Sequence, residues 1–435
     1  MRNYFRLAYY LTNMQKLAYS GRATLREHQT KNLRKLVKYA YDYVPFYHEK
    51  LKQKGIEPND IRTIDDLYKL PIVKKNEINR NFSSIISREF DASHLHILST
   101  SGSTGRPLRI LISSAEDDYR KAKHLLANIL CGQKPWDRYV AITSPSHFRE
   151  VPKLLRALSF YDRTFVSVFD DVNTQISTIS RINPKILAGY ASSLLVLAKE
   201  VEKKGTKAIK PKFILSGAEL LDGLSRQIIE TVFCAPIFDQ YAIMEFDRIA
   251  WQCPARLHYH MDEYALITQF VDRNGEEVAE GERGEIVCTS LFNYAMPFIR
   301  YSVGDIGIPS DDECTCDLTL PLMKVIEGRK DSLLTLPDGR LLSPRTFTVA
   351  MNMSRLIGNI DQFRVIQKET NYFVLYIKTK SEKIDEAIMK NELVKHLEKM
   401  LNVSREEVTF DVRFQDIIPF DKSGKFSAVV SEIGK

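Results

Sequence analysis

The chain has no apolar run near the roughly 18 residues that a helix needs to cross a bilayer. Near its start, no continuous apolar core leads to a small-residue cleavage site. These absences exclude a helical transmembrane protein and set the cytoplasm as the expected location. Cysteine is scarce, six in 435 residues at unequal spacings, which excludes a disulfide scaffold and leaves the thiols as core residues or metal ligands. Cys131, Cys234 and Cys288 sit among apolar neighbours and read as core. The net charge of +7 is modest for this length and forms no single block, so nucleic acid is not expected as the main ligand. No internal repeat and no low-complexity linker break the chain.

What is present is a soluble, globular balance: 44% hydrophobic residues and a mean hydropathy of -0.24. The length exceeds one ordinary core and implies a large domain with a smaller one. Residues 1–20 mix Arg2, Arg6 and Lys16 with Tyr4, Phe5, Tyr9 and Tyr10, a pattern for a helix docked on its own domain or lying on a membrane surface. Residues 22–60 read as helical through Leu25, Leu33, Leu36, Val37 and Ala40, with a break at Val44-Pro45.

From about 95 to 245, short apolar runs alternate with helical stretches, which predicts α/β architecture with a mostly parallel sheet. Residues 255–325 turn β-rich, with a hairpin expected around Asn274-Gly275. Strands at 362–367, 372–379 and 407–414 and a helix near 382–401 predict a small α+β domain at the end.

Between Leu95–Leu98 and Leu108–Ile112 lies Ser99-Thr100-Ser101-Gly102-Ser103-Thr104-Gly105-Arg106-Pro107. Two glycines let the backbone aim its amides at one centre, and the hydroxyls donate to phosphate oxygens held there. The Gly-Lys-Ser/Thr ending of a P-loop is missing, so that class of NTPase is excluded.

Further segments follow in order: Ser216-Gly217-Ala218-Glu219, Asp239 with Tyr241-Ala242-Ile243-Met244-Glu245, Arg300-Tyr301-Ser302-Val303-Gly304-Asp305, Gly328-Arg329-Lys330-Asp331, and Ser423-Gly424-Lys425. From about residue 40 onward the sequence resembles the adenylate-forming superfamily of acyl-CoA synthetases and adenylation domains. The likeness is greatest to the phenylacetate-CoA ligase-like branch and its relatives in capsular polysaccharide loci.

The resemblance implies a large domain over 1–328, with a helical preamble over about 1–90, and a mobile lid over 329–435. It implies ATP phosphates on Ser101, Gly102, Ser103, Thr104 and Gly105. Adenine would lie against Gly217, Ala218, Glu219 and Tyr241, beside Asp239, and the ribose hydroxyls would bind Asp305. Glu245 would hold Mg²⁺, Arg329 would reach the ribose or phosphate, Asp331 would serve as hinge and Lys425 as catalytic lysine. Ser302 and Val303 depart from the family pattern and remove a cation near the nucleotide.

Cys253, His258, Cys314 and Cys316 offer three thiolates and one imidazole, a complete tetrahedral set for structural Zn²⁺, with His260 as a competing ligand. A similar pattern occurs in phenylacetate-CoA ligase-like proteins. The implied activity is MgATP-dependent conversion of a carboxylic acid to acyl-AMP and pyrophosphate, followed by transfer to coenzyme A. A carrier-protein thiol or a sugar amine is the alternative acceptor. A noncatalytic nucleotide-binding scaffold is the alternative of another class.

Overall fold

The computed structural model describes residues 3–99, 108–143, 145, 160–168, 170, 172–206, 208–219, 221–329, 334–339, 341–342, 347, 350–351, 354–380, 385–418 and 428–433. The chain enters through three helices, α1 (Tyr4–Ala18), α2 (Arg22–Tyr43) and α3 (Pro45–Gln53). Leu25, Leu33, Leu36, Val37 and Ala40 form the buried stripe of α2. Pro45 ends it: the residue before a proline is driven out of helical geometry, and the proline itself suits the first turn of α3.

Helix α4 (Lys75–Arg80) precedes the antiparallel pair β1 (His96–Ser99) and β2 (Arg109–Ile112), which bracket the hydroxyl-rich loop. Helix α5 (Ser114–Leu130) then starts with a reciprocal cap between Ser113 and Glu116. Helix α1 docks on α5, with Arg6 Nη2 at 2.6 Å from the buried Asp118 carboxylate. Its outer side shows Phe5, 91% exposed, and Tyr9, 64% exposed.

The alternating region forms strands β3 (Tyr139–Thr143), β4 (Arg163–Ser167), β5 (Ile186–Tyr190) and β6 (Phe213–Gly217). Helices α6 (Val172–Ile182), α7 (Ala191–Lys204) and α8 (Gly223–Phe233) alternate with them. These strands are parallel, in the order β6-β5-β3-β4, and Val140, Ile142, Leu187, Leu194, Leu197, Ile214 and Ile229 fill their core.

There follow β7 (Ile237–Ile243), β8 (Asp247–Gln252), β9 (Tyr259–Met261), β10 (Leu266–Val271), β11 (Gly284–Ser290), β12 (Tyr301–Ser310) and β13 (Leu322–Arg329). Their order is β10-β11-β12-β13-β9-β8-β7. The Asp272–Gly275 turn forms, with Gly275 at φ +86. It closes a single antiparallel bridge between Val271 and Glu277, and the expected pairing of β10 with β11 then starts at Val271 and Glu285, across a longer connection.

The C-terminal part contains the short pair β14 (Leu334–Thr335) and β15 (Leu341–Leu342), then β16 (Ile360–Glu369), β17 (Tyr372–Thr379), α9 (Glu386–Leu401), β18 (Thr409–Phe414) and β19 (Val429–Ser431). A four-stranded sheet β18-β17-β16-β19 forms, and its core includes Phe347, Phe373, Leu393, Leu397 and Phe410.

Packing groups the chain into two units, Met1–Lys134 with Phe238–Ile326, and Pro135–Ile237 with Glu327–Lys435. Cys131 and Cys288 are buried as expected, but Cys234 is exposed. It caps α8 with φ +50, a left-handed turn that takes the chain out of the helix and away from the apolar neighbours that marked it as core. No helix among the described residues is long and apolar enough to cross a membrane.

Candidate functional site

Strands β7 and β12 carry two acid-tyrosine pairs. On β7, Tyr241 donates its hydroxyl to Asp305 Oδ2 on β12 at 2.5 Å. In return Tyr301, at the start of β12, donates to Glu245 Oε1 just past β7 at 2.9 Å. A flat sheet with three strands between β7 and β12 would separate them by about 19 Å, too far for these side chains to meet. The sheet therefore curls so that β7 and β12 face each other. Both acids are 6% exposed. A third pair, Tyr259 to Asp239 Oδ2 at 2.7 Å, ties β9 to β7.

The turn that carries Glu245 is held by its carbonyls. Arg120 donates to Met244 O at 2.7 Å and to Glu245 O at 3.4 Å, and Asn293 Nδ2 donates to Glu245 O at 3.2 Å. Lys123 Nζ donates to Phe246 O at 2.6 Å and Arg248 O at 2.5 Å. Burial pushes the Lys123 ammonium down to about 8, against the pull of the nearby Asp262. The turn is thus clamped from α5, and an oxygen-only, largely buried carboxylate fits a hard divalent cation.

In the other unit, β6 delivers Ser216 and Gly217 at its C-terminal end, and Ala218 follows with φ +63. Glu219 is half-buried. The end of β5 brings Tyr190, whose hydroxyl lies 3.4 Å from Thr143 Oγ1. Ser101, Gly102, Ser103, Thr104, Gly105, Asp331 and Lys425 lie outside the described residues. Arg329 ends β13, and its side chain also lies outside them.

The thiol cluster is built from β8, β9 and the connection after β12. Cys253 Sγ lies 3.5 Å from Cys314 Sγ, and Cys316 Sγ lies 3.2 Å from His260 Nε2. All four ligand atoms fall within 4.8 Å of one another. The ring of His260 is fixed by its other nitrogen, 3.4 Å from Leu320 O, an arrangement that orients a metal-ligating imidazole.

His258, expected as the fourth ligand, points elsewhere: its Nε2 meets Asp312 Oδ2 at 2.8 Å. The competing His260 takes its place, because it lies inside β9, paired on both sides with Trp251 and Leu322. Burial raises Cys316 to about 12 and lowers His260 to about 4. Three soft sulfurs and one nitrogen with no open position suit a structural Zn²⁺.

Phenylacetate-coenzyme A ligase of Thermus thermophilus is 26% identical over 325 residues, 72% of each chain. The Pseudomonas putida ligase of the same name is 26% identical over 330 residues. Protein CapK of Staphylococcus aureus is 21% identical over 412 residues, 90% of this chain and 87% of its own. Along most of its length the chain is thus similar to phenylacetate-CoA ligases and to Protein CapK.

No family model matches it. The adenylate-forming fold is matched by a 2-hydroxyisobutyryl-CoA ligase in the postadenylation state with 2-HIB-AMP, at a TM-score of 0.80 and 19% identity over 96% of this chain and 92% of that one. The motif order did not disclose the crossed tyrosines or the clamp from α5. One signal was there: Tyr-x-x-x-acid occurs at 241–245, 259–263 and 301–305, and the first and last of these carry the crossed pairs.

Proposed function

We propose that the protein is an ATP-dependent carboxylate-activating ligase. An oxygen of the acid attacks the α-phosphorus of ATP, the bond from that phosphorus to the bridging oxygen breaks, and acyl-AMP and pyrophosphate result. A thiol, that of coenzyme A, then attacks the acyl carbon and AMP leaves. The observation that carries this reading is the pair of shielded acids, Asp305 and Glu245, on one curled sheet. One carboxylate that accepts both ribose hydroxyls fixes a diol through charge-assisted bonds.

In this reading Ser101 to Gly105 grip the phosphates, and Gly217, Ala218, Glu219, Asp239 and Tyr241 surround the adenine. Glu245 holds Mg²⁺, which neutralises charge on the departing pyrophosphate. Lys425 bridges the two approaching anions and relieves their repulsion where it is greatest, in the transition state. Arg329 supports the nucleotide, and residues 329–435 pivot about Asp331 to withdraw Lys425 before thiol attack. Zn²⁺ on Cys253, His260, Cys314 and Cys316 is structural.

The likeness to Protein CapK covers 90% of the chain against 72% for the Thermus ligase. This favours a second reading, in which a carrier-protein thiol or a sugar amine replaces coenzyme A. The exposed Phe5 and Tyr9 of α1 support peripheral contact with a membrane surface. Exchange of labelled pyrophosphate into ATP over a panel of acids tests the first step. Acid-dependent exchange, abolished in Lys425→Ala with ATP binding retained, is expected; flat exchange with every acid returns the scaffold alternative.

A further inference from the structure

The two segments that carry the site acids share one spacing and exchange partners. Tyr241 and Glu245 are four residues apart, as are Tyr301 and Asp305, and each hydroxyl bonds the acid of the other segment. Backbone contacts already fix the Glu245 turn, since Arg120 and Asn293 hold its carbonyls. What they leave to be set is the orientation of a carboxylate at the end of three rotatable bonds.

Tyr301 is suited to set it. It is 2% exposed, and its ring is wedged against Phe298 at 5.2 Å and Phe246 at 5.9 Å between centroids. The hydroxyl that meets Glu245 Oε1 therefore sits on a rigid support, and a carboxylate that accepts one such bond retains lone pairs for a cation. Groups that orient a metal-binding carboxylate in this way tune its affinity by tenfold or more.

We propose that Tyr301 is a positioning residue for the Mg²⁺-binding carboxylate of Glu245. The inference rests on the reading above that Glu245 holds the metal of MgATP. Although Tyr301 belongs to the segment with the ribose acid, its loss is felt at the metal. It acts on the nucleotide only through Glu245.

The test is calorimetric binding of a non-hydrolysable ATP analogue to the full-length protein across a Mg²⁺ series, beside AMP binding without metal. Tyr301→Phe keeps the ring and removes the hydroxyl. A rise of about tenfold in the Mg²⁺ needed for half-saturation is expected, with AMP affinity unchanged. An unchanged Mg²⁺ requirement, or equal losses for both ligands, overturns the proposal.

Glu245→Gln separates this from the reading beneath it. If that variant leaves the Mg²⁺ requirement unchanged, the metal assignment fails and the proposal with it. If it raises the requirement while Tyr301→Phe does not, the positioning role alone fails. The double variant, which leaves no buried carboxylate without its donor, guards against misfolding of the single one. Adding Tyr301→Phe to Glu245→Gln is expected to change nothing further, and an additive loss overturns the proposal.

Discussion

Replacing His260 with alanine removes one of four candidate ligand atoms that lie within 4.8 Å of one another, and the stability at stake follows from the length of chain that a bound metal would tie together. Cys253 and Cys314 are 61 positions apart. Closing a loop of that size in the unfolded chain is worth about 4 kcal/mol in the chain-entropy model. For a unit of a few hundred residues, that corresponds to a fall in melting temperature of about 10 °C.

Differential scanning calorimetry with metal analysis on the same samples measures both quantities. The wild type should carry one zinc per chain and lose it, with the same fall, to a strong chelator. His260→Ala should lose the metal and melt early. His258→Ala, which breaks only the contact with Asp312, should keep the metal and melt within a degree or two of wild type. Zinc retained in His260→Ala and lost from His258→Ala would refute the assignment, as would wild type without metal after zinc-supplemented purification.

Three more outcomes are expected. Burial raises Glu263 from an ordinary 4.5 to about 7, so between those values the folded chain keeps a proton that the unfolded chain has released. Stability present below pH 4.5 is therefore lost as pH rises toward 7, on the order of 3 kcal/mol, and chemical denaturation of Glu263→Gln should show that slope flattened. Asp262 accepts from Arg248 at 2.9 and 3.0 Å, from Trp251 at 3.1 Å and from Tyr264 at 2.6 Å, with the ion pair fully buried. Asp262→Asn should cost about 3–5 kcal/mol by urea denaturation, because it strands a buried guanidinium; a loss below 1 kcal/mol would contradict this. Asp305→Asn should weaken AMP binding about a hundredfold by calorimetry, as two charge-assisted bonds to the ribose are lost, and unaltered affinity would remove the ribose assignment.

The fold was legible where one period ruled one segment. The runs at 139–143, 164–169, 185–189 and 212–216 became β3 to β6, because parallel strands covered by helices are apolar throughout. Strand parity could not choose between His258 and His260, since residues two apart share a face. Pairing to Trp251 and Leu322 chose, and that is a long-range fact. Cys234 misled because apolar neighbours say nothing about a left-handed cap. The crossed tyrosines were visible only as a repeated spacing. That they meet each other's acids depends on the curl of a seven-strand run, which no local pattern encodes.

If this chain makes an activated acyl group from a carboxylate and ATP, hydroxylamine will trap it when purified protein and MgATP are given a panel of carboxylic acids. A hydroxamate is expected with at least one acid, dependent on ATP and abolished in Lys425→Ala. Absence of hydroxamate with every acid, from protein that binds ATP normally, would contradict acyl activation by this chain.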